Sequence, residues 1–329
     1  MKALVTGATG FIGSHLVGLL LKDGHEVRCL VRNPQKAQPL GPNAQILIGN
    51  LSDQDSLDKA CAGVDWVFHA AAKVSDWGPW EDFYADTVLG TRRMLQAAAR
   101  GRVKHFVQIS SVDVYDRRHL GSHLGPATED TPQVHDRWPY FYARAKMLAE
   151  REIAELAAQG VMPVTTIRPG TVYGPGDRTI MPKLIDYLRN TPVLVKNFDP
   201  VIGLIHVDDL AELCLKAAQN PLSAGQAYNA SSDEDVRLST LSEAICDHLG
   251  IESPKRRIPF WLAKVIVKLS ESYAKLTHSE PLMSQGALEF LTLDQRFDIS
   301  KARKELGWSP KVRFAQGIRD ALKTVFSEP

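Results

Sequence analysis

Two hydrophobic rhythms alternate through the first half of the chain. Short runs rich in β-branched residues read as strands at Lys2–Thr6, Glu26–Val31, Gln45–Ile48, Trp66–His69, His105–Ser110 and Val164–Arg168. Helical periodicity fills stretches between several of them, notably Ile12–Lys22 and Tyr84–Arg100. Strand, helix and strand in that repeated order predict βαβ units closing into a doubly wound parallel sheet of the Rossmann type, an α/β fold.

After Gly174 the rhythm loosens into segments punctuated by Pro175, Pro182, Pro192, Pro200, Pro254, Pro259, Pro281 and Pro310. It resumes in a strand near Leu204–His206 and a helix near Asp209–Gln219. A chain of 329 residues exceeds the usual size of one hydrophobic core. The expected division is a dinucleotide-binding domain of residues 1–170 and 203–230, with a smaller, discontinuous α/β substrate domain of residues 171–202 and 231–329.

One late helix stands out. Trp261, Leu262, Val265, Ile266, Leu269, Tyr273 and Leu276 recur at helical spacing, with Lys264, Lys268, Glu271 and Lys275 on the other side. Three readings stay open: a helix packed on the core, a roof over an apolar pocket, and a peripheral contact with a membrane surface.

Charge narrows the partners. Lys and Arg total 39 against 38 Asp and Glu, a formal charge of +1, which exerts no general pull toward nucleic acid. Small molecules are the expected partners. The four cysteines, Cys29, Cys61, Cys214 and Cys246, form no Cys-x-x-Cys pair or Cys/His cluster, so no metal site is expected and the thiols read as reduced and buried. No apolar run approaches the roughly twenty residues of a membrane span. Met1–Val5 lead straight into a glycine motif without the features of a secretion signal, so the expected location is cytoplasmic.

That motif carries the first chemistry. In Thr6-Gly7-Ala8-Thr9-Gly10-Phe11-Ile12-Gly13, the glycines fall at a strand-to-helix turn. Gly7 suits the tight turn, Gly10 lets backbone N–H groups approach a pyrophosphate, and Gly13 permits close helix–strand packing. An NAD site usually has an acid about twenty residues on. Here the segment holds Arg28, Arg32 and Lys36 with no carboxylate, so NADP(H) is favoured over NAD(H).

The second chemistry is Tyr142-Ala143-Arg144-Ala145-Lys146, at the start of a helical stretch ending near Gln159. Four-residue spacing puts Tyr142 and Lys146 on one helix face. A tyrosine with an ordinary pKa of about 10 is a poor base near neutrality, and a neighbouring ammonium stabilises its phenolate. Ser110 and Ser111 end a predicted parallel strand, where ligands collect in such sheets.

With these motifs the chain resembles the extended short-chain dehydrogenase/reductase family, of the NAD-dependent epimerase/dehydratase type. The likeness extends through Val67–Ala72, Ser110–Tyr115, Arg168–Asp177, Ile205–Leu210 and Lys301–Trp308. The resemblance implies that Tyr142 is the acid/base, that Lys146 lowers its pKa and holds the nicotinamide ribose, and that Ser111 orients the substrate oxygen. It implies further cofactor contacts at Asn50 and Leu51 by the adenine, at Ala70, Ala71 and Ala72 along the dinucleotide, and at Pro169 and Val172 beside the nicotinamide. It also implies a homodimer built on the helices around Tyr84–Arg100 and Tyr142–Gln159.

Departures from the family pattern narrow the substrate. Asn50 and Thr87 stand where the family commonly has Asp and Asn, so Thr87 implies an adjusted proton-relay network. Thr171 and Ile202 replace the Asn and Arg of nucleotide-sugar enzymes, which removes their diphosphate ligands. Val112 replaces the carboxylate of sugar dehydratases, and Asp113 beside it reads as a solvated strand-end acid. The segments Ala72–Trp80 and Ser279–Leu282 resemble the 3β-hydroxysteroid dehydrogenase-like branch, which includes reductases of long-chain 2-alkyl-3-oxoalkanoates. The leading expectation is hydride transfer between NADP(H) or NAD(H) and a secondary alcohol or ketone of an apolar, steroid-like or 3-oxoacyl substrate. The alternatives are a nucleotide-sugar 4-epimerase and a non-catalytic dinucleotide sensor.

Overall fold

The computed structural model describes residues 1–190, 193–277 and 279–325. Its centre is a seven-stranded sheet in which every neighbouring pair is parallel. Six strands are β1 (Lys2–Thr6), β2 (Glu26–Val31), β3 (Ala44–Ile48), β4 (Trp66–His69), β5 (His105–Ile109) and β6 (Val164–Pro169). The seventh, Ala227–Ala230, lies outside β6, so the order across the sheet is seventh, β6, β5, β4, β1, β2, β3. The strand order reverses between β1 and β4, where Thr6 stands opposite His69. A doubly wound sheet opens a ligand crevice at that switch point, outside the carboxyl ends.

Helices α1 (Phe11–Lys22), α2 (Gln54–Cys61), α3 (Trp80–Phe83), α4 (Gly90–Arg100) and α5 (Phe141–Ala158) follow strands or precede them. In α1 the residues Gly13, Leu16, Val17 and Leu20 recur at three- and four-residue spacing and are buried, seating one face on the sheet. The stretch Tyr84–Arg100 is not one regular helix. Tyr84–Leu89 is π-helical and only Gly90–Arg100 is α-helical, a widened turn that places Thr87 inside the protein. The helix expected from Asp209 starts at Val207 instead, because the His206 ring accepts the Asp208 N–H as an N-cap.

A separate core lies in the later chain. Tyr173, Met181, Leu188, Ile202, Leu241 and Phe314 belong to one buried cluster distinct from that of the central sheet. Short two-stranded ladders hold it, pairing Thr171–Tyr173 with Leu204–His206 and Val201–Ile202 with Val236–Arg237. The four cysteines are buried and unpaired. Among the described residues no helix is long and apolar enough to cross a membrane, and no cluster of side chains forms a metal site.

The late helix spans Phe260–Thr277 and does not pack on the core through its row of large apolar residues. Its packed face is Ala263, Val267 and Ala274, whose small side chains allow close approach to the core. Trp261, Val265, Leu269, Tyr273 and Leu276 point to solvent.

Candidate active site

The carboxyl ends of β1, β4, β5 and β6 deliver the site residues to one edge of the sheet. Gly7 follows β1 with φ +67°, a left-handed conformation costly for other residues, and a Cβ there would stand 2.8 Å from the Ala71 nitrogen. Gly13 packs closer still, since its Cβ would meet the Gly7 carbonyl oxygen at 2.1 Å. Between them Gly10 donates its N–H to Gly7 O at 2.9 Å and caps α1. No side chain caps this end and the first turn holds no acid, so its backbone N–H groups and partial positive charge face the crevice. Thr9 and Gly10 are exposed, with Phe11 and Ile12 half-buried behind them. An uncapped helix start on a glycine turn, against Ala70 and Ala71, fits the diphosphate of a dinucleotide.

Arg32 and Lys36 are exposed on the turn that follows β2. Arg28 does not join them. Its guanidinium is buried and donates to the carbonyl oxygens of Lys59, Ala60 and Ala62 at 3.2, 2.7 and 3.0 Å, satisfying the end of α2. Arg28 stands in the middle of β2, paired with Leu4 and Gln45, whereas Arg32 lies past the carboxyl end of the strand. Asn50 is exposed and its side-chain oxygen accepts the Ser52 N–H at 2.8 Å, which leaves the amide NH2 as its outward donor. Leu51 packs against Gly90 at the start of α4.

Tyr142 and Lys146 sit one turn apart on α5, with Lys146 Nζ 5.9 Å from the Tyr142 ring centre. The Tyr142 phenol lies near the Ser111 hydroxyl, which acts to lower its pKa. Ser111 is buried at the end of β5 and donates to the Asp113 carboxylate at 3.0 Å, while its oxygen accepts the Asp113 N–H. Asp113 is therefore half-buried and part of the site, not a solvated strand-end acid. Burial pushes the Tyr142 pKa up, the Asp113 charge adds to the rise, and the Ser111 hydrogen bond opposes it. Lys146 is 3% exposed, and burial pulls its pKa down to about 8 against the upward pull of Glu150. In the protein alone, burial outweighs the stabilisation of phenolate expected from Lys146.

Behind this pair lies a polar network that sequence reasoning did not single out. Glu150, one turn beyond Lys146, accepts from Ser110 at 2.5 Å and Gln133 at 2.6 Å, and pairs with Arg168 at 2.7 Å with both side chains buried. Arg168 also donates to the Tyr115 hydroxyl at 3.1 Å, which in turn donates to Asn229 at 2.6 Å. Its one sequence signal was the four-residue step continuing Tyr142, Lys146, Glu150 along a helix face.

His69 and Thr87 are structural ties. The buried His69 ring contacts Thr6 Oγ1 at 2.6 Å and Thr91 Oγ1 at 3.3 Å, and burial lowers its pKa to about 3, so it is neutral. Thr87 Oγ1 accepts the Lys73 N–H at 3.1 Å, fastening the loop after β4 to the π-helical turn.

An aromatic cluster flanks Tyr142. Trp80, Tyr84 and Phe141 cluster with Tyr142, with Trp80 ring centres 5.7 and 5.6 Å from Tyr84 and Phe141. Ile202 is fully buried in the second core, and Val112 is buried beside Ser111. Pro169 is buried at the end of β6, while Thr171 and Val172 are half-buried just beyond.

The sequence pattern of the NAD dependent epimerase/dehydratase family matches residues 3–231. The 3 beta-hydroxysteroid dehydrogenase/Delta 5→4-isomerase of Mycobacterium tuberculosis is 30% identical over 98% of this chain and 89% of its own. The 4-hydroxy-2-methyl-3-oxo-4-farnesyl-3,4-dihydroquinoline-1-oxide ketoreductase of Stigmatella aurantiaca is 31% identical, covering 98% of this chain and 96% of its own. In fold, the chain is similar to UDP-glucuronic acid 4-epimerase from Bacillus cereus, solved with UDP-glucuronic acid and NAD. That likeness has a TM-score of 0.78 at 22% identity over 99% of each chain.

Proposed function

The chain belongs to the NAD dependent epimerase/dehydratase family, and on that premise we propose that it reduces the ketone, or oxidises the secondary alcohol, of an apolar steroid-like or 3-oxoacyl substrate. The observation that carries this reading is the Tyr142 phenol, set beside Ser111 and one helical turn from the buried Lys146 ammonium. The aromatic wall of Trp80, Tyr84 and Phe141 supports an apolar substrate, as do the names of the two relatives. The buried Ile202 offers no cation to a sugar diphosphate.

Gly7, Gly10 and Gly13 would seat the diphosphate, with Thr9, Phe11 and Ile12 lining the turn. Asn50 and Leu51 would flank the adenine, Ala70 to Ala72 the middle of the dinucleotide, and Pro169 and Val172 the nicotinamide. Arg32 and Lys36 favour NADP(H), since a 2′-phosphate there meets two exposed cations. A nicotinamide held there would supply or accept the hydride.

The chain's own residues manage the oxygen. Ser111 and Tyr142 both hydrogen-bond the substrate oxygen and fix its position. With its pKa raised by burial, Tyr142 is protonated at neutral pH and suits donation to a carbonyl oxygen. Lys146 holds positive charge beneath the phenol as the proton leaves. By the family resemblance, the faces of α4 and α5 pair two copies, which sedimentation would read.

The test is nicotinamide absorbance with apolar ketones and alcohols set beside a UDP-sugar panel. Turnover of the apolar set alone supports the reading. Turnover of UDP-sugars, or silence with every substrate while dinucleotide binds, overturns it.

A further inference from the structure

The helix Phe260–Thr277 presents an apolar face on each side. Ala263, Val267 and Ala274 pack inward at no more than 2% exposure, while Trp261, Val265, Leu269, Tyr273 and Leu276 are 44 to 82% exposed. Steps of three and four residues align these five as one stripe, on the side of the helix opposite the packed residues. Leu282, just past the helix, is also 79% exposed. A soluble domain rarely leaves such a continuous row of large apolar side chains in water without a partner for it.

The borders identify the partner. Lys264, Lys268 and Lys275 are exposed and repeat along one edge of the stripe. Glu271 lies on that edge too, but its carboxylate is turned to the Gln285 N–H at 2.8 Å. Glu280 is exposed beyond the end of the helix. The outward face is thus a band of Trp, Leu and Tyr beside a row of lysines. An antiparallel pairing of two copies through this stripe would set lysine row against lysine row.

We propose that this face docks on a lipid bilayer bearing anionic headgroups, with the helix lying in the membrane plane. Trp261, Leu269 and Tyr273 enter the boundary between headgroups and acyl chains, and Lys264, Lys268 and Lys275 meet the phosphates. The surface is joined to the candidate active site by a short path. Met283 N–H donates to Ser270 on this helix at 3.2 Å, and the next helix brings Gly286 beside the ring of Tyr140, two residues from Tyr142. An apolar substrate dissolved in the bilayer would then be presented near the site, although docking itself does not depend on the redox reading.

Co-sedimentation of the full chain with vesicles of phosphatidylglycerol and phosphatidylcholine, against phosphatidylcholine alone, tests this. Binding is expected to favour the anionic vesicles and to weaken as salt rises. The double variant Leu269→Ser/Tyr273→Ser should lose at least tenfold in partitioning. The triple variant Lys264→Gln/Lys268→Gln/Lys275→Gln should lose the anionic preference. All five positions face solvent, so both variants should keep the parent's melting midpoint. Failure of the parent to bind anionic vesicles, or equal binding by the parent and both variants, overturns the proposal. So does a concentration-dependent oligomer that Leu269→Ser/Tyr273→Ser dissolves, which would assign the stripe to a second copy of the chain.

Discussion

The Lys146 ammonium donates to the main-chain carbonyl oxygen of Ile109 at 2.8 Å. The contact clamps α5 to the last residue of β5, directly before Ser110 and Ser111. One side chain thereby fixes where the tyrosine helix meets the serine strand end, at the cost of burying a cation.

That cost should be measurable in stability. The folded pKa of Lys146, about 8, lies below its ordinary value of 10.5, so between them the unfolded chain binds more protons than the folded one. The penalty is complete below pH 8 and disappears as pH rises toward 10.5. The unfolding free energy of the parent, taken relative to Lys146→Met, should therefore climb by on the order of 2 kcal/mol from pH 8 to 10. Urea titrations at each pH would read it, and a flat difference would contradict it. The comparison stops at pH 10 because Tyr142, raised in the folded state, acts in the opposite direction above that point.

Ser111 and Asp113 should move one pH limb in opposite directions. During ketone reduction the rate falls as Tyr142 loses its proton. Asp113→Asn removes a charge that raises the tyrosine, so the limb should shift toward lower pH by roughly half a unit to one unit. Ser111→Ala removes a hydrogen bond that lowers it, so the limb should shift upward, with a rate loss of about 10². Shifts of the same sign would show that neither group acts through Tyr142.

The buried Glu150–Arg168 pair should be costly to break and cheap to remove entirely. Arg168→Met leaves a buried carboxylate uncompensated and should destabilise the protein by ~3–5 kcal/mol in urea titration. Arg168→Met with Glu150→Leu should lose less than the single variant. Equal losses would mean that Glu150 is solvated in the single variant.

Cofactor choice should separate the three basic residues. Arg32→Glu/Lys36→Glu is expected to weaken NADPH at least tenfold and leave NADH nearly unchanged, read by titrating cofactor fluorescence. Arg28→Met should leave the ratio alone and lower the melting temperature, because its three carbonyl partners are the last turn and C-cap of α2. A changed ratio in Arg28→Met would contradict its placement.

The difference between Arg28 and Arg32 illustrates which features the sequence made legible. The six longer strands and the glycine turn were readable because β-branched runs and Gly7, Gly10 and Gly13 act within a few residues of themselves. The strand Ala227–Ala230 was not, since Tyr228 and Asn229 form too short a run without β-branched residues and pairing with β6 alone defines it. On the helix Phe260–Thr277, periodicity located the apolar stripe but could not say which side packs, and the small Ala263, Val267 and Ala274 won. The tie from Glu150 through Arg168 and Tyr115 to Asn229 joins residues as far as 114 positions apart, so only the folded sheet brings its members together. Asp113 was misread because its partner, the Ser111 hydroxyl, depends on the local turn after β5.

The central claim is that the phenol oxygen of Tyr142 carries the substrate proton. Single-turnover oxidation of bound NADPH by an apolar ketone, in the parent and in Tyr142→Phe, tests it most directly. The account predicts dinucleotide affinity within about threefold of the parent and a rate lower by at least ~10². A Tyr142→Phe protein that binds the dinucleotide and turns over at the parent rate would contradict it.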